Sequence, residues 1–204
     1  MPRHAQLTDA APGVSRETLD RLHAYADLLA KWTAVINLVA TADRPHLWSR
    51  HVEDSLRLLP LIPPGTARGI DLGSGAGLPG LVLAIATGIP FDLIESDRRK
   101  ATFLMEAARA TAAPVQVHCC RIEAAAIAPA PLVTARALAP LPALLALAAP
   151  LLAPSGTALF PKGARAAEEL EQARQAWHMD VARHGTPGQP GTILAITNPR
   201  RTHA

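Results

Sequence analysis

The ten residues 71–80 read DLGSGAGLPG and hold four glycines and one proline. Ile70 and Leu72, at the start of this stretch, are typical of the end of a buried strand. Glycine has no Cβ, so a glycine-rich turn allows positive φ and lets a ligand approach the backbone closely. A strand, a glycine-rich turn and an apolar helix in succession are typical of the ligand-binding edge of a parallel α/β sheet.

Two glycine patterns fit this stretch, and they indicate different cofactors. Gly75, Gly77 and Gly80 match the G-x-G-x-x-G loop of dinucleotide-binding domains, in which a helix N-terminus faces a pyrophosphate. Asp71, Gly73, Gly75 and Gly77 match the D-x-G-x-G-x-G loop of S-adenosylmethionine enzymes. The dinucleotide pattern needs its first glycine directly after the strand, whereas Gly75 comes later. The spacing favours S-adenosylmethionine, with an NAD-dependent oxidoreductase as the alternative.

Carboxylates lie at the ends of the first two predicted strands. Asp71 precedes Gly73 and is placed to hold the methionine ammonium group, directly or through water. Glu95 ends the second strand, where a carboxylate suits the ribose hydroxyls of either cofactor. The alternative is a tight strand-to-helix turn with a structural role and no ligand. The four glycines together with carboxylates at two successive strand ends favour a ligand.

The composition describes a globular chain with one core. It has 204 residues, 49% of them hydrophobic, and a formal net charge of +3, which permits an RNA partner without requiring one. Cys119 and Cys120 are too few for a metal quartet or a disulfide framework, so we expect no metal and a reducing compartment. Residues 1–13 show no export signal, and the apolar residues 137–153 contain prolines and are too short to span a membrane. We expect a cytoplasmic protein, a monomer, with no membrane segment.

The sequence pattern of the first 64 residues predicts a small helical layer. Leu19, Leu22, Ala26 and Leu29 recur every three or four positions, which predicts a helix that begins after an N-cap at Ser15. A second helix is predicted after residues 43–45, and the prolines of PLIPPG, residues 60–65, end it.

Residues 65–204 predict a second region, the main domain, in which short strands alternate with helices. The predicted strands are 69–72, 91–95, 115–118, 132–134 and 157–160, and the predicted helices are 79–87, 98–112, 141–152 and 168–177. Strands at 178–184 and 192–197, joined by GTPGQPG, are expected to close the sheet in antiparallel fashion. The pattern predicts an α/β fold of the Rossmann-like methyltransferase type, a mostly parallel sheet with helices on both faces, behind the helical layer.

Several stretches, in their order and spacing, resemble the bacterial small-subunit ribosomal RNA guanine-N7 methyltransferases known as RsmG or GidB. They are KWTAVINLVA (31–40), RHVEDSL (50–56), DLGSGAGLPG, ESDRRKATFL (95–104), RIE (121–123), TARAL (134–138) and PKG (161–163). The chain departs from the family at Glu95, where Asp is usual, at Ala135, where Ser or Thr is usual, and at Pro161, where an aliphatic residue is common. None of these changes removes a charge that the site needs.

The resemblance implies methylation at N7 of a guanine in 16S ribosomal RNA, with S-adenosylmethionine as donor and free RNA or the small ribosomal subunit particle as partner. It implies donor contacts for Gly73, Leu78, Ile122, Glu123 and Arg136. With the residues argued from the motif, the candidate donor-binding set is Asp71, Gly73, Gly75, Gly77, Leu78, Glu95, Ile122, Glu123 and Arg136. The glycine loop does not distinguish this acceptor from a small molecule or a protein.

Guanine N7 carries a lone pair and no proton, so its methylation needs positioning rather than a general base. The candidates for holding the acceptor come from the helical layer and the sheet rim: Asn37, Arg50, His51, Asp54, Arg136 and Lys162. His51 and Asp54 lie three apart on a helix, and either contact RNA or form a local pair that ties the layer to the sheet. Lys162 is predicted to be a phosphate-binding or active-site cation.

Overall fold

A computed structural model describes residues 14–185 and 191–202, and in them a seven-stranded sheet has the order β3-β2-β1-β4-β5-β7-β6. Strand β7 is antiparallel to both β5 and β6, and the other pairs are parallel. The strands are β1 (Gly69–Leu72), β2 (Phe91–Ile94), β3 (Val115–His118), β4 (Ala130–Ala135), β5 (Leu152–Lys162), β6 (Trp177–Gly185) and β7 (Thr192–Arg201). The predicted antiparallel closure is confirmed, and most of its connection, residues 186–190, lies outside the described residues.

Helices cover both faces of the sheet, and each face has its own hydrophobic cluster. The helices are α1 (Arg16–Thr33), α2 (Asp54–Leu56), α3 (Gly80–Thr87), α4 (Arg98–Thr111), α5 (Leu141–Ala148) and α6 (Ala166–Arg174). One cluster joins α1, α3 and α4 to Leu93 and Leu132, and the other joins α5 and α6 to Ile70 and Val133. This arrangement confirms the predicted Rossmann-like α/β class with a helical layer in front. The boundary between residues 64 and 65 stays a prediction.

Helix α1 begins where the sequence predicted. The hydroxyl of Ser15 accepts a hydrogen bond from the backbone N–H of Thr18 at 3.2 Å, which satisfies one free N–H of the first turn. The buried residues Leu22, Tyr25 and Leu29 share the face that packs into the core. None of the described helices is long and apolar enough to cross a membrane.

The prediction of one continuous second helix after residues 43–45 is wrong. The chain instead forms a 3₁₀ turn (Thr41–His46), a π-helical turn (Trp48–Glu53), α2 and another 3₁₀ turn (Leu59–Leu61). Pro45 lies inside the first turn and Pro60 inside the last, and proline has no N–H for a helical hydrogen bond. Proline also shortens α5, predicted to reach residue 152, because Pro150 turns the chain into a 3₁₀ turn (Ala149–Leu151).

The start of α3 packs directly on the end of β1. A Cβ at Gly80 would lie 2.4 Å from the Cβ of Asp71 and 2.9 Å from a methyl group of Leu93. No side chain fits there unless the backbone moves. Gly80 is therefore required for close packing of the helix on the sheet rather than for an unusual backbone angle.

We expect Gly80→Ala to lower the free energy of unfolding by about 2 kcal/mol, because the overlap with Asp71 outweighs the better helix propensity of alanine. Chemical denaturation measures the change. Gly185→Ala is the matched control, since a Cβ there meets nothing within 4 Å, and it should stay within about 0.5 kcal/mol of the unaltered protein. Equal stabilities of the two variants would contradict the packing argument.

Candidate active site

The glycine loop after β1 needs glycine at three alternate positions. Gly73, Gly75 and Gly77 have φ values of +62°, +54° and +86°, in the left-handed region that side chains disfavour. A Cβ at Gly75 would meet no atom closer than 3.8 Å, so this residue faces open space. The positions with positive φ are those of the D-x-G-x-G-x-G pattern.

Three hydrogen bonds from outside the loop hold its backbone. The N–H of Gly75 donates to Oε2 of Glu95 at 2.8 Å, and the N–H of Ser74 donates to the carbonyl of Ile94 at 3.0 Å. The hydroxyl of Tyr25, in the helical layer, donates to the carbonyl of Ala76 at 2.6 Å. The other oxygen of Glu95 accepts the N–H of Asp97 at 2.8 Å, so Glu95 joins the loops that follow β1 and β2.

Asp71 lies beneath the loop with no exposed surface. Its Oδ1 accepts the hydroxyl of Thr134 at 2.6 Å. Burial raises the pKa of Asp71 to about 6, although hydrogen bonds from Thr134, Ser74 and the N–H of Gly80 oppose the shift. The predicted contact with a methionine ammonium group stays a prediction, and in this conformation it would require the loop to open.

A cavity of about 320 Å³, here called the first cavity, lies beside the loop at the carboxyl ends of β1 to β4. Six of the nine candidate donor-binding residues line it: Gly73, Gly75, Glu95, Ile122, Glu123 and Arg136. Gly77 and Leu78 do not, because a Cβ at Gly77 would lie 2.8 Å from Leu81, and Leu78 is packed in the core. Their predicted donor contacts stay predictions.

Part of the wall of the first cavity was not predicted from the sequence. Lys100, Cys120, Arg121, Ala137 and Leu138 also line the first cavity. Four of them follow β3 or β4 within a few residues, so their position after a parallel strand was a usable signal. Lys100 lies in the first turn of α4, after β2, and its position there is a weaker signal of the same kind.

The segment that carries Ile122 and Glu123 is anchored at both ends by one carboxylate. Asp92 pairs through Oδ1 with Nε2 of His118 at 2.6 Å and through Oδ2 with Arg68 at 2.7 Å. Arg68 also donates to the carbonyl of Pro129 at 3.0 Å. The segment between His118 and Pro129 thus starts and ends on partners of Asp92.

A second cavity of about 640 Å³ adjoins the first and shares the wall formed by Arg136, Ala137 and Leu138. Its charged lining comes from the helical layer and from the main domain: Asp54, Arg57, Arg136, Lys162 and Glu169. Asn37 is exposed and lines neither of the two cavities, so its predicted role is not supported by its position.

Arg136 connects the helical layer to the sheet. Its guanidinium donates to the carbonyl of Arg50 at 2.9 Å and lies 3.4 Å from Oδ2 of Asp54. The other oxygen of Asp54, Oδ1, accepts a hydrogen bond from Arg57 at 2.9 Å. The ring nitrogens of His51 have no hydrogen-bond partner among the described residues, and Nε2 lies 3.7 Å from Asp43, so the predicted local side-chain pair of His51 and Asp54 is not formed. Burial and then the charge of Arg136 lower the pKa of His51, which favours the neutral imidazole.

Lys162 is the last residue of β5 and is mostly buried. Its Nζ donates to Glu169 and to the carbonyl of Ala139, both at 2.9 Å. Glu169 also accepts the N–H of Leu141 at 2.9 Å, so the ion pair fixes the start of α5. The predicted phosphate contact of Lys162 stays a prediction, and the geometry gives this residue a structural partner instead.

Solved methyltransferase structures share the fold. The O-methyltransferase from Bacillus cereus, in complex with SAH, aligns with a TM-score of 0.58 and 12% identity over 95% of this chain and 96% of its own. The ribosomal protein L11 methylase from Lactobacillus delbrueckii subsp. bulgaricus aligns with a TM-score of 0.58 and 17% identity over 76% of this chain and 79% of its own. Fold and glycine loop together define the class of S-adenosylmethionine-dependent methyltransferases.

The sequence profile of the GidB family, described as rRNA small subunit methyltransferase G, matches residues 18–187. The ribosomal RNA small subunit methyltransferase G of Granulibacter bethesdensis is 57% identical over 86% of this chain and 82% of that relative. The protein of the same name from Rhodospirillum centenum is 55% identical over 92% of this chain and 88% of that relative. The chain belongs to the rRNA small subunit methyltransferase G family.

The first cavity fits the methyl donor of this class. The open space at Gly75 admits a ligand against the main chain, and Glu95 lines the cavity with acceptor oxygens for hydroxyl groups. Ile122 offers an apolar surface and Glu123 a polar edge on the opposite wall. Within residues 14–185 and 191–202, no three His, Cys, Asp or Glu side chains form a group able to hold a metal ion.

We expect Gly75→Asn to weaken S-adenosylmethionine binding at least about tenfold, or about 1.4 kcal/mol, because its side chain would fill the open space. Asparagine tolerates positive φ, so the backbone cost is small. Gly88→Asn is the matched control, since Gly88 has a φ of +74° and a Cβ there meets nothing within 4 Å. Calorimetric titration of both variants gives the affinities, and equal losses would contradict the assignment of the cavity.

Asp71 should make stability depend on pH. Because its folded pKa of about 6 exceeds the ordinary value of 3.8, the native state holds the proton more tightly, and its contribution to stability falls as pH rises between these values. Relative to Asp71→Asn, which keeps an acceptor for Thr134, the unaltered protein should lose about 2 kcal/mol between pH 4 and pH 7. Urea unfolding across this range measures the difference, and a constant difference would show that Asp71 is not desolvated.

Proposed function

We propose that the protein methylates N7 of a guanine in 16S ribosomal RNA, with S-adenosylmethionine in the first cavity and the guanine in the second. Membership of the rRNA small subunit methyltransferase G family supports the acceptor class. The observation that carries the proposal is the shared wall of Arg136, Ala137 and Leu138, because donor and acceptor bound on its two sides would be neighbours.

Methyl transfer to guanine N7 requires the protein mainly to position the donor and the acceptor. When bound, the donor supplies a methyl group on a positively charged sulfur. Guanine N7 has a free lone pair, so no side chain has to remove a proton, and alignment of the two reactants carries most of the rate increase. This agrees with the second cavity, where Asp54 is paired with Arg57 and Glu169 with Lys162, so that neither carboxylate is a free general base.

The residues of the first cavity have distinct roles in this proposal. Glu95 already accepts two backbone N–H groups, and its remaining lone pairs are available to the ribose hydroxyls. Ile122 and Glu123 are placed for the face and the polar edge of the adenine. Nη1 of Arg136 is buried and has no hydrogen-bond partner among the described residues, so it would bind an acceptor atom of the guanine or its phosphate only after the wall around it moves.

The acceptor side needs an unstacked base and a path for its backbone. A guanine in folded RNA has to leave its stack to reach a donor held at the sheet edge. The side chain of Arg50 is exposed and paired with Asp43, its backbone carbonyl accepts a hydrogen bond from Arg136, and it is our candidate for a phosphate contact. Action on the small ribosomal subunit would place the enzyme in the bacterial cytoplasm, and a monomer remains our expectation.

Labelled methyl transfer tests the proposal directly. Unmodified 16S ribosomal RNA, assembled small subunits, bulk protein and a metabolite extract serve as separate acceptors. We expect label in the RNA or the subunits, at one guanine that becomes sensitive to borohydride and aniline cleavage, as N7-methylguanine does. Binding to the RNA should weaken as salt rises, because phosphate contacts release counterions.

The alternatives have their own results in the same experiment. Label that enters only bulk protein or the metabolite extract would assign the acceptor to another class. Label in RNA at a position that resists borohydride and aniline would keep the RNA acceptor and reject N7 as the methylated atom.

A further inference from the structure

One hydrogen bond links the helical layer to the glycine loop. Tyr25 lies in the middle of α1 and has no exposed surface. Its hydroxyl donates to the carbonyl of Ala76 at 2.6 Å, across 51 positions of sequence. Ala76 stands between Gly75 and Gly77, two of the three loop glycines with positive φ, and Gly75 lines the first cavity.

The hydroxyl supplies the donor for a carbonyl in a loop whose neighbouring N–H groups are already bonded, that of Gly75 to Glu95 and that of Gly77 to the carbonyl of Ser74. The carbonyl of Ala76 is buried, and a buried carbonyl without a donor costs more than an ordinary hydrogen bond contributes. Gly75 and Gly77 have no side chains to resist rotation of the peptide planes on either side. Without the hydroxyl, the buried carbonyl of Ala76 loses the donor that the described residues give it, and the peptide between Ala76 and Gly77 is held only by the bond from its N–H to Ser74.

The hydroxyl keeps its proton, and so remains a donor, at neutral pH. Burial raises the pKa of Tyr25 far above its ordinary value, and the opposing charge of Arg136 is the smaller influence. The aromatic ring is held by the core, with Phe103 at a centroid distance of 6.4 Å. Both the proton and the direction of the bond are therefore fixed before any ligand binds.

We propose that Tyr25 is a positioning residue for the methyl donor, which makes the helical layer a part of the donor site. The proposal rests on the assignment of the first cavity to S-adenosylmethionine. Tyr25 does not touch the cavity, so it acts through the peptide of Ala76 and the N–H of Gly75, which Glu95 holds from the other side.

Tyr25→Phe removes the hydroxyl and leaves the ring in place. We expect the dissociation constant and the KM for S-adenosylmethionine to rise about tenfold, while kcat at saturating donor and the KM for the RNA change less than about twofold. Arg21→Gln is the matched control. Arg21, also on α1, donates to the carbonyls of Thr111 and Ala112 at the far end of α4, so its loss loosens the layer without touching the loop. It should lower the melting temperature and leave donor affinity unchanged.

A second measurement needs no substitution that risks folding. Tyr25 is the one tyrosine of the 204-residue chain, so 3-fluorotyrosine labels this position alone. We expect the fluorine resonance to shift when S-adenosylmethionine binds without RNA, because the ligand fixes the peptide that the hydroxyl contacts. A side chain that only fills the core would keep its resonance.

The outcomes separate the positioning role from the proposed function. Unchanged donor affinity in Tyr25→Phe, an equal loss in Arg21→Gln, or a fluorine resonance that ignores the donor would each overturn the positioning role while leaving RNA methylation intact. Failure of the unaltered protein to bind S-adenosylmethionine would overturn the proposed function, and the positioning role with it.

Discussion

The active site depends on the contact between Asp71 and Gly80, where a Cβ on the glycine would lie 2.4 Å from that of the aspartate. This contact sets the start of α3 against the end of β1 and leaves only a few residues for the reversal between them. So short a reversal requires positive φ at three glycines, and several of its backbone groups find partners outside the loop, on Glu95, Ile94 and Tyr25. The first cavity is the space beside a backbone bent in this way.

Charge in the site follows from the same geometry. Parallel strands bring Asp71 and Glu95 to one edge of the sheet, and the charge of Glu95 contributes to the raised pKa of Asp71. The positive charge of Arg136 in turn lowers the pKa of His51, after burial has had the larger effect. At neutral pH the imidazole of His51 in the helical layer is therefore uncharged, and Arg136 places a positive charge on the wall between the cavities. The carboxylates of the second cavity are ion-paired, Asp54 with Arg57 and Glu169 with Lys162, which suits a site that orients its reactants.

Local patterns were enough to locate the sheet, because β1 and β3 have bounds identical to the prediction and apolar runs between turn residues are decided by nearby sequence. The sequence did not show how deeply each carboxylate lies in the sheet. Asp71 is level with Leu93 in the register, two residues short of Glu95, so one carboxylate is buried and the other lines the cavity. The partner of Lys162 was equally hidden, since Glu169 approaches only after the chain has left β5 and entered α6. Both depend on contacts made after folding.

The helical layer lines the second cavity and supports the loop beside the first, so it is able to couple the two binding steps. Asp54 and Arg57 belong to the wall of the second cavity, and Tyr25 supports the loop of the first. An acceptor that favours the layer position in which the Tyr25 bond is formed must bind more tightly when the donor is present. By thermodynamic linkage the donor gains affinity by the same factor when the acceptor is bound. A layer that only covered the core would leave the two affinities independent.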